Sequence, residues 1–467
     1  MRALTLILTI AGATTLFAQQ PRQPDWTALE PEILKHFQSL VQINTTDPPG
    51  GEKPAADYVK AALEREGISV TLHALDNPNL IARVKGSGKR KPLLIIGHLD
   101  TVNIDEKKWS FPPFSATRDG GFIYGRGTVD DKDNLTSSLM TMLLLKRLNV
   151  PLDRDVILLA EAGEEGNSTL GAQFIANQHF PEIEAEYCLA EGGQVMRENG
   201  AVTFAQVQTL EKIPRAIELT ARGPAGHASV PLKENAVVHL TNAVTKAAQW
   251  KVPIRLNETT RVYFTRLAGI AGPESAARYR DVLSNDPAKS GAAADWLYEN
   301  EPRHASMIRT SISPTMINAG YRINVIPSEV KATLDVRTAP GENPQEFLAA
   351  LRTVINDPMV DVSYAARDVR PDTNSARLDN DVFRTIEAAV KTHYNAVTLP
   401  TMSTGATDMA YLRARGIECY GIGPALDIED SVKGFAAHGD QERIIESELY
   451  RFVRFNYDLV AALAGAK

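Results

Sequence analysis

The chain has 467 residues, about three times the length of a typical single domain, so two domains are expected. A composition of 43% hydrophobic and 23% charged residues is that of a globular protein and excludes fibrous and disordered classes. The formal charge of -7, with no run of five like charges, excludes a nucleic-acid or anionic-lipid partner.

At the start of the chain Arg2 precedes an apolar stretch from Ala3 to about Ala18, after which QQPRQPDW is polar and Pro-rich. The stretch is shorter than the roughly 20 residues that span a bilayer, so residues 1–18 read as a signal peptide cut after Ala18. No later apolar run reaches spanning length, and the mature chain is expected to be periplasmic or secreted, with no stable membrane span.

Apolar residues recur at three and four over Trp26 to Val41 and Ala55 to Glu66, which predicts two helices. Short Val, Ile and Leu runs follow in SVTLHAL, NLIARV, PLLIIGH, DVILLAE and AEYCLAEGG, separated by helical stretches at Asn134 to Leu148 and Leu170 to Gln178. That alternation predicts an α/β domain whose mostly parallel sheet carries helices on both faces. From Lys212 the order becomes strand (RAIELTARG), helix (Asn235 to Trp250), two strands about a Pro turn (YRINVIPSEVKATLDVR), helix (Pro344 to Ile355) and strand (VDVSYAAR). This βαββαβ order predicts a ferredoxin-like α+β lid inserted in the first domain, lengthened by a Gly, Ala and Pro-rich stretch at about Leu267 to His304. The α/β pattern then resumes and closes on a helix over Glu442 to Ala462. The expected division is a signal at 1–18, a catalytic domain at 19–211 and 371–467, and the lid at 212–370. Cys188 and Cys419 sit in apolar strand-like runs and are expected as buried free thiols, with no Cys-x-x-Cys spacing to hold a metal.

Acidic residues and His gather where the predicted strands end, the place at which open α/β sheets bind ligands. His98 and Asp100 follow PLLIIG, Asp130 and Asp131 follow GRGTV, Glu164 and Glu165 follow DVILLAEAG, and Glu191 lies in EYCLAE. One such residue in a loop is ordinarily solvated charge; four successive strand ends are not explained that way. Imidazole and carboxylate without thiolate suit zinc, with cobalt or manganese as alternatives. Two divalent cations balance three carboxylates and a hydroxide, which favours a dinuclear centre for metal-assisted hydrolysis and leaves a carboxylate over as general base.

GHLDTV, GRGTVDDK, the Glu164–Glu165 pair followed by GNSTLGA, AEGG, GHAS, INVIPSEVKATLDVR and AAHGDQERI resemble, in order and spacing, the co-catalytic zinc peptidases of metallopeptidase family 20. The resemblance spans nearly the whole mature chain and is strongest to the carboxypeptidase S and secreted N-acyl amino acid hydrolase branch. It implies that His98, Asp130 and Glu191 hold one zinc, that His438, Asp130 and Glu165 hold the other, and that Asp130 bridges. It further implies that Glu164 is the general base acting on the water at the metals and that Asp100 orients a ligand imidazole. His227, Asn324 and Arg337 match lid residues that hold the substrate carboxylate or the oxyanion, and Thr404 and Gly405 match a loop that closes on the same carboxylate.

Two positions depart from the family pattern: Gly163 stands where Asp often precedes the Glu pair, and Asp131 where Met often follows the bridging Asp. Asp131 leaves a choice of bridge, for which Asp130 is preferred because it occupies the family position; the resemblance also implies a cis Asp130–Asp131 peptide. The other His residues, at 36, 73, 179, 239, 304 and 393, are read as structural. The expected activity is amide hydrolysis in small peptides, of carboxypeptidase or dipeptidase type, with N-acyl amino acids as the alternative substrate and a monomer or lid-mediated homodimer as the assembly. An exported binding protein is the non-enzymatic rival, and no Gly-x-Ser-x-Gly elbow supports a serine hydrolase.

Overall fold

The computed structural model describes residues 23–46, 51–74, 76–366 and 369–466, so the segment read as a signal lies outside the described residues. A ten-stranded mixed sheet organises most of the chain. At its centre Leu93–His98 lies parallel to both Val156–Glu161 and Tyr187–Ala190, and Tyr187–Ala190 lies parallel to Glu418–Gly421. The first two of these strands are buried along their whole length, as their unbroken Val, Ile and Leu runs require of a sheet covered on both faces. Cys188 and Cys419 face each other across the last pairing, both buried and both free, as the sequence led us to expect.

One helix places the chemistry. Lys132–Arg147 begins two residues before the expected Asn134 and is buried through Leu145, polar residues included. It packs between the sheet and the closing helix Glu446–Ala464, where Asn456 Nδ2 donates to Ser137 Oγ at 2.8 Å. Its start therefore fixes the Asp130–Asp131 pair at the sheet's carboxyl edge, and the peptide joining them is cis.

A separate antiparallel sheet has the order Ser311–Asn318, Glu329–Thr338, Ile213–Arg222, Val360–Tyr364. Ile217, Leu219 and Ala221, alternating along one strand, pack with Leu240 and Ala243 of helix Ala236–Gln249 and with Phe347 and Leu351 of helix Pro344–Ile355. The expected βαββαβ order is present, but one strand differs in identity. Tyr321 to Asn324 is not strand, Val325–Ile326 pairs instead with Gly226–His227, and the sheet's edge is Ser311–Asn318. Pro314 and the register shift beside it are tolerated because that strand pairs on one side only.

The Gly, Ala and Pro-rich stretch is helical. Four helices, Glu258–Ile270, Pro273–Val282, Pro287–Asn300 and Pro302–Ile308, run through it, and three of them use Pro in the first helical turn, where the missing N–H costs nothing. They bury Tyr263, Phe264, Val282 and Leu297 together with Leu399 of the large sheet. No helix among the described residues is long and apolar enough to cross a membrane.

Candidate metal centre

Asp130 lies between two imidazoles. Its Oδ1 is 3.0 Å from His98 Nε2, and its Oδ2 is 3.0 Å from His438 Nε2. His438 Nε2 is also 2.9 Å from Glu165 Oε1. Donor atoms of His98, Glu164 and Glu191 lie within 4.8 Å of one another, as do those of His98, Asp130 and Glu165. Asp131 is turned the other way: its Oδ2 accepts from the His98 backbone N–H at 3.2 Å and from Asn134 Nδ2 at 3.3 Å, inside the core. Of the two adjacent carboxylates, Asp130 is the one that faces both imidazoles.

The loops carrying Asp130, Glu165 and His438 are tied down by buried groups. Asp100 accepts from the backbone N–H of Glu164 at 3.1 Å and of Glu165 at 2.9 Å, so one carboxylate holds both glutamates. His98 Nδ1 is 3.1 Å from the Asp100 backbone carbonyl and 3.4 Å from its carboxylate, so the imidazole is set chiefly by the Asp100 main chain. Gly163 turns the chain into this pair at φ 70°, and a Cβ there would meet the Asn167 carbonyl oxygen at 2.6 Å, which accounts for Gly where the family pattern has Asp. Glu442 accepts from Gly127 N–H at 3.1 Å and Val129 N–H at 2.8 Å while pairing with Arg126 at 2.6 Å; Arg126 also donates to the Gly439 carbonyl at 2.9 Å. This fully buried ion pair couples the loop before Asp130 to the loop carrying His438.

The electrostatics are those of a site built for cations. Burial, together with repulsion from Asp130, pushes the Glu165 carboxyl up to about 7 against the His438 hydrogen bond. Burial and the neighbouring carboxylates likewise raise Glu164 and raise Glu191 well above the ordinary range. Asp130 is held low although burial opposes it, because His438 and His98 both bond to it. His438 is raised to about 10 by Asp130 and Glu165. Carboxylates crowded this closely, with two imidazoles among them and no thiolate, fit two divalent cations.

Sequence reasoning missed Arg370 and Asp408. Arg370 Nη2 donates to Glu164 Oε1 at 2.9 Å, and its Nη1 lies 3.2 Å from Asp408 Oδ1. Nothing in the local sequence DVRPDT singles this arginine out, because both partners are remote in the chain. Lys132, fully buried, donates to Thr45 Oγ1 at 2.9 Å and to the Leu99 carbonyl, and burial lowers its ammonium to about 8.

The five expected substrate residues lie apart from these contacts. His227 and Asn324 meet through Ala228 N–H to the Asn324 carbonyl at 3.1 Å; both are exposed, and His227 Nδ1 bonds Ser229 Oγ at 2.7 Å. Arg337 pairs with Asp335 of its own strand at 2.6 Å. Thr404 is half-buried and Gly405 exposed, in a loop whose Gly405 N–H donates to Ser403 Oγ and whose Thr407 is fastened to buried Glu211.

Residues 94–462 match the model of peptidase family M20/M25/M40. The chain belongs to that family. It is therefore an enzyme, a metal-dependent hydrolase of the family's dinuclear type. It is similar to a probable carboxypeptidase S-like 2 of Dictyostelium discoideum, 26% identical over 86% of this chain and 78% of the relative. It is also similar to the human N-fatty-acyl-amino acid synthase/hydrolase PM20D1, 29% identical over 79% of this chain and 74% of the relative. The fold matches the M20 family metallo-carboxypeptidase Sso-CP2 from Sulfolobus solfataricus with a TM-score of 0.69 at 21% identity, over 92% of this chain and 98% of that one. It also matches Bacillus subtilis YXEP, described as a dinuclear metal binding peptidase of the M20 family, with a TM-score of 0.58 at 14% identity, over 93% and 99% of the two chains.

Proposed function

We propose that this M20 enzyme uses two zinc ions, with cobalt or manganese as alternatives, to hydrolyse an amide bond in small peptides, in the manner of a carboxypeptidase or dipeptidase. The observation that carries the reading is Asp130, with one oxygen 3.0 Å from each of two imidazoles, beside a Glu164 that faces an arginine instead. In this reading His98, Asp130 and Glu191 hold one ion, and Asp130, Glu165 and His438 the other. The ions, when bound, polarise the substrate carbonyl and acidify water. Glu164 takes the proton from the attacking water and returns it to the leaving nitrogen, a transfer worth about 10²–10⁴-fold in rate. Arg370, on Oε1 of Glu164, orients that carboxylate and leaves Oε2 for the proton. Asp100 keeps Glu164 and Glu165 in place through their amides. His227, Asn324, Arg337, Thr404 and Gly405 take the substrate carboxylate and the oxyanion.

Amide hydrolysis of N-acyl amino acids is the second reading. Its support is an apolar rim beside His227 and Asn324: Ile323 is 99% exposed, Tyr321 83% and Val230 61%. The relatives named for fatty-acyl amino acids agree with it. Dipeptides, C-terminal peptide residues and N-acyl amino acids, each assayed with zinc, cobalt and manganese, separate the two readings. Activity on none of them, or activity that survives chelation, contradicts both.

Catalytic segments at 19–211 and 371–467, a lid at 212–370 and an export signal at 1–18 complete the proposal, along with a homodimer formed through the smaller sheet. Its edge strand Ser311–Asn318 exposes Met316 and Ile317. Sedimentation velocity tests the dimer, and the N-terminal mass of exported protein tests the cleavage after Ala18.

A further inference from the structure

A second set of metal-type donors shares no residue with the centre described above. His73, His179 and Glu182 place their donor atoms within 4.8 Å of one another. His73 Nε2 lies 3.0 Å from Glu182 Oε2, and His179 Nδ1 lies 3.1 Å from Glu182 Oε1, so each carboxylate oxygen faces one imidazole nitrogen. The rings stack with centroids 3.7 Å apart and planes at 29°. Around an ion with bonds of roughly 2.0–2.1 Å, tetrahedral ligand atoms stand about 3.3 Å apart. The observed separations are a few tenths of an ångström shorter.

The three donors come from two segments, an edge strand that ends in His73 and the helical turn that carries His179 and Glu182. His73 ends an edge strand and is paired in register with Asn79. Buried Asn79 donates to the Leu170 carbonyl at 2.7 Å and accepts from Ala162 N–H at 3.2 Å. Glu182 is held through its backbone carbonyl by Arg83 Nη2 at 2.9 Å, and the same guanidinium reaches Asp155 at 2.8 Å. His179 joins helices Ala172–Gln178 and Phe180–Ile183, with the Phe174 ring 5.2 Å from its own. The backbone is thus set before any ion arrives, and only side-chain torsions need adjust.

We propose that His73, His179 and Glu182 form a structural zinc site. Two neutral imidazoles and one carboxylate without thiolate suit zinc, and side-chain exposures of 17%, 26% and 38% leave the fourth position to water. The ion takes the place of the two N–H bonds to Glu182 and ties Val70–His73, a strand paired on one side only, to the helical segment at 179–182. Through Asn79 it also braces the 162–170 loop that carries Glu164 and Glu165.

The full chain, dialysed to equilibrium against micromolar zinc, is assayed for bound metal by elemental analysis beside His73→Gln, His179→Gln and Glu182→Gln. Each variant is expected to hold one ion fewer than the unaltered chain and to lose a tetrahedral cobalt absorption band that the unaltered chain shows. Circular dichroism verifies folding. Glu182→Gln keeps an amide on both imidazoles, so it serves if a histidine variant fails to fold. Equal metal counts in all four proteins overturn the proposal, as does zinc uptake at this site only near millimolar concentration. Because the readout is the difference from the unaltered chain, a wrong count at the catalytic centre changes every total alike and leaves that difference intact.

Discussion

The edge of the large sheet and the surroundings of the small one treat their polar residues differently. At the large sheet's edge most expected site residues sit in loops whose backbone is bonded to a buried group: Asp100 for Glu164 and Glu165, Glu442 for the Asp130 loop and, through Arg126, for the His438 loop. Around the small sheet, His227 of the two-stranded pair and Asn324 beside it are exposed, and Arg337 of the sheet itself pairs within its own strand. The first arrangement suits bound ions and, in the proposed mechanism, a proton transfer. For the second to serve the substrate role proposed for it, a substrate must draw those side chains out of their local contacts. Metal binding and chemistry should therefore fail sharply when the first region is altered, and affinity should fail gradually when the second is.

Glu164→Gln should produce the largest effect on rate. Turnover of the best substrate is expected to drop by about 10³-fold with bound metal unchanged, as measured by steady-state kinetics beside elemental analysis. Near-normal turnover would remove Glu164 from its role. Asp100→Ala releases both glutamate amides and one neighbour of His98, so kcat/KM should fall about 10–100-fold together with metal affinity, followed by chelator competition. Loss of activity with undiminished affinity would mean that the amide bonds do not position Glu165.

Arg370→Met should cost about tenfold in kcat and should also alter the pH profile. Burial raises the Glu164 carboxyl, and Arg370 is the leading opposing influence. Removing that cation raises the carboxyl further, so its proton-accepting form appears only at higher pH and the acid limb of kcat/KM moves up. Superimposable limbs would show that Arg370 does not act through Glu164. The smallest effects belong to the proposed lid: His227→Ala and Arg337→Ala should each raise KM several-fold and leave metal content alone. Loss of metal in either variant would erase the contrast between the two regions.

What could be read from the sequence follows from where the interactions lie. The expected ligands His98, Glu165 and Glu191 and the expected base Glu164 stand at or near the ends of apolar runs, so their placement at one sheet edge was legible before any coordinates. Arg370 and Glu442 were not legible as partners, since Glu164 lies 206 residues from Arg370 and Arg126 lies 316 residues from Glu442. Three of the four helices from Glu258 to Ile308 were hidden by their prolines, which mark turns in a sequence but occupy first helical turns here. The edge strand Ser311–Asn318 was missed because Pro314 breaks its pattern and most of its residues are exposed. His73 and His179 read as structural because their shared carboxylate, Glu182, comes from a helix turn rather than a strand end.

Asp130 is proposed to serve both ions at once. Elemental analysis of metal-saturated Asp130→Ala beside His438→Ala and the unaltered chain tests this directly. Asp130→Ala is predicted to lose two divalent ions relative to the unaltered chain and His438→Ala one. A loss of one ion or none in Asp130→Ala would contradict the shared bridge.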